Sequence, residues 1–375
     1  MKILFLIPEG DHGGHSRQLA LIAAGLPRDQ FDARVVVVGR DGPLVAKLEA
    51  AGLPVEVLGW TRLVDPQPVW RLRRRVQSFR PDVLAGWGLT ALRIGSLVRD
   101  SARLVLHQLL PPRERHPWPP LGPFDRWLLR RSDRVIAGHP AEVRCYRRLG
   151  MPPERVCLIP PGVGPFPAPA MPREALFRGR SLPPTARVVV CVGPLHAHKG
   201  YRDALWALDI LKYLYDDLHL VLLGGGPDRE RLEGFARDIQ VLDRTHFLGW
   251  REDVAAWLAA ADVVWVPSRA HGGINVALEA MSAGRAVIAG WTPALAEVVA
   301  DGETGYLVAP GDKVGLARLT RRLLDDAGLR RELGEAGPQR AGERFAAAEL
   351  VRRWTEMVEE MIGPLAGVGS GAAGL

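Results

Sequence analysis

Three loops of this sequence, each following a short run of apolar and β-branched residues, carry groups suited to an activated, negatively charged ligand. The run 187–192 leads into Gly193-Pro194-Leu195-His196-Ala197-His198-Lys199-Gly200 and then a helical segment. A lysine at a helix entrance adds a full positive charge to the partial one of the helix N-terminus, and together they suit a diphosphate. A solvated first-turn lysine is the plainer alternative. Lys199 is only the third lysine, after Lys2 and Lys47, of an arginine-dominated chain. The run 262–266 leads into Pro267-Ser268-Arg269-Ala270-His271-Gly272-Gly273-Ile274-Asn275-Val276-Ala277-Leu278-Glu279. Here the free amides around Ile274, together with Asn275, would meet a phosphate at a helix start. Glu279 interrupts the apolar face of that helix, where a carboxylate is costly to bury unless it accepts hydrogen bonds. A vicinal diol such as a ribose could supply them, and so could the local backbone. The run 2–7 leads into Pro8-Glu9-Gly10-Asp11-His12-Gly13-Gly14, whose paired glycines let a backbone approach a ligand closely. A helix starting near Ser16 would then offer N–H groups to an anion, with a plain tight turn as the alternative. The spacing is not GxGxxG, which argues against a dinucleotide-cofactor site.

The elements that must position these loops are legible in the alternation of short apolar runs with longer amphipathic stretches, the pattern of βαβ units on a parallel sheet. Strands are expected over 2–7, 34–38, 55–58, 82–85, 104–107, 134–137 and 156–159, and again over 187–192, 219–224, 245–248, 262–266, 286–289 and 305–308. The fold class is therefore α/β, with two Rossmann-like, doubly wound parallel sheets. The Pro-rich stretch from Pro160 to Pro169 permits neither a helix nor a central strand. The expected domains are 1–160 and 173–341, joined by a linker over 161–172. A closing helix over 342–362, expected to pack back on the first domain, precedes a small-residue tail over 363–375 expected to be disordered. In such sheets ligands meet the loops at the carboxyl ends of the strands, so two facing sheets would make a cleft there.

Bulk properties narrow the class. A chain of 375 residues with 47% hydrophobic and 24% charged residues can bury two cores and is neither disordered nor collagen-like. Cys145, Cys157 and Cys191 form no CxxC and pair with no histidine, which supports neither a disulfide framework nor a zinc site and fits a reducing compartment. The apolar start is too short for a signal peptide, and no run reaches the roughly 20 residues of a membrane helix. A cytoplasmic location is expected, with peripheral contact at the inner membrane face. The net charge is +7, but between Trp60 and Gly150 there are 18 Arg against 7 Asp plus Glu. That basic field attracts anionic lipid headgroups or phosphorylated acceptors, or it is simply an arginine-rich solvated surface. Nucleic acid is not an expected partner, since no stacking aromatics interleave with the arginines in a recognisable module.

Taken together, Gly13-Gly14, Val192-Gly193 with Lys199-Gly200, Leu223-Gly224-Gly225-Gly226-Pro227, Phe247-Leu248-Gly249-Trp250, Pro267-Ser268, the stretch from Gly272 to Met281, and Asp301-Gly302-Glu303-Thr304-Gly305 make the chain similar to the retaining glycosyltransferases of family 4. The resemblance runs from Met1 to about Met361 and implies the GT-B fold. It implies a nucleotide-sugar donor held mainly by the second domain, a glycan or lipid-linked acceptor held by the first, and transfer with retention at the anomeric carbon. It places Lys199 at the donor diphosphate and Glu279, the end of the family's E-x7-E motif, at the ribose. His107 matches a histidine that lines the reaction centre, though a buried structural histidine fits the position too. The resemblance implies no cofactor and no metal, and the sequence has no Asp-x-Asp. Three positions depart from the family pattern. Pro194 stands where an arginine is expected, His271 where the first glutamate is expected, and Pro293-Ala294 where a Gly-Gly turn is expected. His271 could donate a hydrogen bond to the sugar but brings no fixed negative charge. These departures leave two alternatives open, a binding or scaffold protein of the same fold and a sugar-nucleotide epimerase.

Overall fold

The computed structural model describes residues 1–11, 13–60, 67–107, 122–167, 171–180, 182–270 and 272–363. The chain divides into two compact units, one formed by residues 1–162 and 347–375, the other by 163–346.

The first unit runs β1 (Lys2–Ile7), α1 (Gly14–Gly25), β2 (Asp32–Val37), α2 (Pro43–Ala50), β3 (Val55–Val57), α3 (Gln67–Phe79), β4 (Val83–Trp87), α4 (Gly88–Val98), β5 (Arg103–His107), α5 (Pro123–Arg130), β6 (Arg134–Ala137), α6 (Pro140–Arg148) and β7 (Val156–Leu158). Its seven strands are all parallel, in the order β3-β2-β1-β4-β5-β6-β7. The central strands are buried on both faces, which is why β1 reads as an unbroken apolar run instead of an alternating one. Strand order reverses between β1 and β4, so the loops that follow these two strands diverge and leave a crevice at their carboxyl ends.

The second unit runs α7 (Arg173–Arg178), β8 (Arg187–Val192), α8 (Tyr201–Leu211), β9 (Leu218–Leu223), α9 (Arg229–Asp238), β10 (Thr245–Gly249), α10 (Val254–Ala260), β11 (Val263–Val266), α11 (Ile274–Ser282), β12 (Val287–Gly290), α12 (Pro293–Val298), β13 (Gly305–Val308), α13 (Lys313–Asp325) and α14 (Ala327–Phe345). Its six parallel strands are ordered β10-β9-β8-β11-β12-β13, with the reversal between β8 and β11. Each sheet has a separate apolar cluster on each face, and none of the four clusters mixes residues of the two units.

The last helix, α15 (Ala347–Ile362), belongs to the first unit. Leu350, Trp354, Met357 and Val358 recur at helical spacing and are buried with Phe5, Leu19 and Ile22. Gln18 of α1 holds Gly162 by a two-way bond: its side chain donates to the Gly162 carbonyl at 2.9 Å and accepts from the Gly162 amide at 2.8 Å. The helix expected over 342–362 is two pieces. Residues 342–345 finish α14, and Ala346, in an extended conformation, separates it from α15. The expected tail from residue 364 onward lies outside the described residues.

Candidate functional site

In the second unit the loops at the carboxyl ends of the strands are packed backbone on backbone, and glycine makes this possible. Gly224, just past β9, has φ +143°, and a Cβ there would come within 2.0 Å of the Gly193 carbonyl oxygen past β8. Gly200 has φ +74°, and a Cβ there would fall 1.9 Å from the Pro267 carbonyl oxygen past β11. The Lys-Gly dipeptide is thus explained locally: a glycine is needed where the β8 loop crosses the β11 loop. The crossing is tied by the Arg269 amide donating to the His198 carbonyl at 2.8 Å. It is tied again by the Arg269 guanidinium, which donates to both carboxylate oxygens of buried Asp203 at 2.5 and 2.6 Å.

Lys199 ends a single 3-10 turn, Ala197–Lys199, immediately before that crossing. Its ammonium lies against Gly272, so close that a Cβ there would be 2.3 Å from Nζ. Among the described residues no carboxylate or carbonyl accepts from it, and burial pulls its pKa down to about 8. Gly272 and Gly273, at φ +77° and +89°, turn the chain into α11. Gly273 provides no side-chain cap, and among the described residues no acceptor faces the amides of Ile274 and Val276. A half-buried cation therefore sits beside the open, electropositive end of a nine-residue helix. Two positive features side by side, neither with an acceptor among the described residues, suit an anion.

Asn275 and Glu279 follow on the first and second turns of α11, both half-buried and both engaged in interactions within the fold. His271 lies outside the described residues. Pro194 and Pro293, the departures within the described residues, both sit in ordinary geometry. Pro194 passes its carbonyl to the His196 amide at 2.9 Å. Pro293 is the first residue of α12, behind a Thr292 cap whose hydroxyl accepts from the Leu295 amide at 3.1 Å.

In the first unit, α1 starts at Gly14, two residues ahead of Ser16. Asp11 already occupies the approach to it: one carboxylate oxygen accepts from the Gly13 amide and from the Ser16 hydroxyl, both at 2.9 Å. The carboxylate takes one of the donors that a phosphate at Gly13-Gly14 would use. His107 ends β5 in register with Trp87 of β4, and the two rings stack 4.1 Å apart. The imidazole is buried, which pushes its pKa down to about 3. Sequence reading missed Asp203, Arg269, Asp11 and Trp354, the last of which donates its indole N–H to His107. Asp11 and Ser16 are close enough in sequence to be read as a cap, whereas the other contacts join distant segments and leave no local signal.

The family described as Glycosyl transferases group 1 matches residues 172–340, and that described as Glycosyltransferase Family 4 matches residues 12–165. The 2-deoxystreptamine glucosyltransferase of Streptomyces kanamyceticus is 30% identical over 354 residues, covering 87% of this chain and 88% of its own. The lipopolysaccharide core biosynthesis glycosyltransferase LpsD of Rhizobium meliloti is 27% identical over 77% of this chain and 78% of its own. Among solved structures, Anabaena HepE in complex with UDP-glucose superposes with a TM-score of 0.83 at 24% identity, over 96% of this chain and 100% of that one. With two parallel-sheet α/β units and these relatives, the chain belongs to the family 4 glycosyltransferases of GT-B fold.

Proposed function

We propose that this glycosyltransferase moves a sugar, with retention at the anomeric carbon, from a nucleotide-sugar donor to a glycan or lipid-linked acceptor, without a cofactor or bound metal. The observation that carries the donor assignment is the Lys199 ammonium, which has no acceptor among the described residues and is set against Gly272 at the start of α11. Lys199 and the amides of Ile274 and Val276 take the diphosphate, Asn275 adds a polar side chain beside it, and Glu279, one turn deeper, accepts from the ribose hydroxyls. His271 and His107 meet the sugar, and Gly13-Gly14 gives the first unit's backbone access to the ligand beside Asp11.

Since the HepE structure holds UDP-glucose, UDP-glucose heads the donor panel, followed by GDP- and ADP-linked sugars. Calorimetry with UDP and UDP-glucose tests the site. Lys199→Ala removes a charged contact worth about 1.5–3 kcal/mol, so affinity falls roughly ten- to a hundredfold. Unchanged binding in both Lys199→Ala and Glu279→Ala would remove the assignment. Product anomers read by NMR test retention, and interconversion of the donor sugar without acceptor would mark an epimerase instead.

The acceptor side is proposed to work at an anionic membrane surface, the inner face of a bilayer. α3 buries Pro68, Leu72, Val76 and Phe79 and turns Arg71, Arg73, Arg74 and Arg75 outward with no acidic residue in the helix. Trp70 is 57% exposed beside them with the Arg74 guanidinium 4.3 Å over its ring, on the rim of an open cavity of about 580 Å³. An exposed tryptophan among arginines suits a lipid headgroup layer. Among the described residues no helix is long and apolar enough to cross a membrane.

A further inference from the structure

His107 is held between two tryptophans. On one side Trp87 stacks on it at 4.1 Å with the ring planes 14° apart. On the other, α15 brings Trp354, whose indole Nε1–H donates to His107 Nε2 at 3.1 Å in a fully buried contact. Phe5 of β1 braces both indoles, with ring centroids 6.1 Å from Trp87 and 5.6 Å from Trp354.

An indole nitrogen can only donate. Nε2 of His107 must therefore carry a lone pair, and a neutral ring then has its proton on Nδ1. The ring is also kept neutral: burial holds it at about 3, and the titratable neighbour acting on it, His15 of α1, lowers it further. We infer that Trp354 is a positioning residue, which locks His107 as the Nδ1–H tautomer so that it serves the bound ligand as a hydrogen-bond donor and takes no part in proton transfer. The inference rests on the proposal that His107 meets the reacting sugar. It assigns the C-terminal helix a part in the reaction through a contact 247 residues apart in sequence.

Nitrogen-15 NMR of the histidine side chains in the full-length protein tests the lock, with the His107 signals identified by their loss in His107→Gln. In the unaltered protein Nδ1 is protonated, Nε2 is not, and neither shifts between pH 8 and 5. In Trp354→Phe the Nε2–H tautomer becomes populated, and kcat for sugar transfer falls about tenfold, the worth of one such bond, while KM for the donor holds within about twofold. Phe5→Leu serves as the comparison, because it loosens the same packing yet keeps the indole N–H. It lowers the melting temperature and leaves the His107 tautomer unchanged. The inference is overturned if His107 of the unaltered protein carries its proton on Nε2, if it titrates near pH 6.5, or if Trp354→Phe leaves the tautomer alone. Full turnover by His107→Ala would remove the reaction role of His107 and leave the tautomer result standing, so the two failures are told apart.

Discussion

Lys199 combines two opposed demands on one ammonium group. Burial with no counter-ion among the described residues costs stability, and the same arrangement makes it available to a phosphate. Lys199→Met is expected to raise the melting temperature of the ligand-free protein by about 2–4 °C while weakening nucleotide binding roughly ten- to a hundredfold, a pair of results read by calorimetry on one sample. The pH dependence follows from the direction of the shift. The folded chain releases this proton at about 8, below the ordinary value of 10.5. Between those values the unfolded chain binds more protons, so this group's contribution makes ligand-free stability rise with pH. Nucleotide affinity moves the other way and falls as pH climbs past about 8, because the neutral amine no longer attracts the diphosphate. At this scale the residues that announce themselves in sequence have a local cause. Lys199 stands out because a helix start and a required glycine surround it, and Glu279 because it breaks an apolar face. Asp203 with Arg269, and Trp354 with His107, are 66 and 247 residues apart. Neither spacing nor composition encodes such a meeting; only the packed sheets create it.

Helices and strands differ in how far sequence exposes them. Strands buried on both faces are continuous apolar runs, and β6, β8 and β13 coincide with the runs 134–137, 187–192 and 305–308. α14 is the contrary case. Its glycines and Pro338 argue against a helix, and the helix expected over 342–362 takes in only its last four residues, yet it spans nineteen residues. The glycines are explained by close approach. A Cβ on Gly334 would lie 2.5 Å from the Gly284 carbonyl oxygen, and one on Gly337 would lie 2.8 Å from that of Met281 at the end of α11. Close tertiary packing outweighs a propensity cost of about 1 kcal/mol per glycine. Gly337→Ala should consequently destabilise the protein in chemical denaturation, although alanine is the better helix former. For α3 the expected measurement is sedimentation with vesicles of anionic lipid. Arg73 and Arg74 have no carboxylate partner among the described residues. Replacing either by glutamine should weaken vesicle partitioning by about 1 kcal/mol, or roughly fivefold, at low salt and less at high salt.

At the scale of the molecule, the two units differ in what they need in order to fold. The second is a continuous stretch, 163–346, with both its apolar clusters drawn from within it. Expressed alone it should melt cooperatively. The first unit lacks a wall of its core without α15: Leu350, Trp354, Met357 and Val358 are each 5% exposed or less. Four such side chains contribute roughly 6–12 kcal/mol, comparable with the whole stability of a domain. Residues 1–162 alone should therefore lack a cooperative transition and bind hydrophobic dyes, and adding residues 347–363 through a flexible linker should restore the transition. Because Gln18 clasps Gly162 where the chain departs and α15 seals the core only after the chain comes back, synthesis on the ribosome meets the pieces in an awkward order. The portion made first must wait, its apolar sheet face bare, while some 180 further residues emerge and collapse independently. The nascent first unit is thus the stretch most in need of a chaperone, and the emergence of α15 ends that exposure.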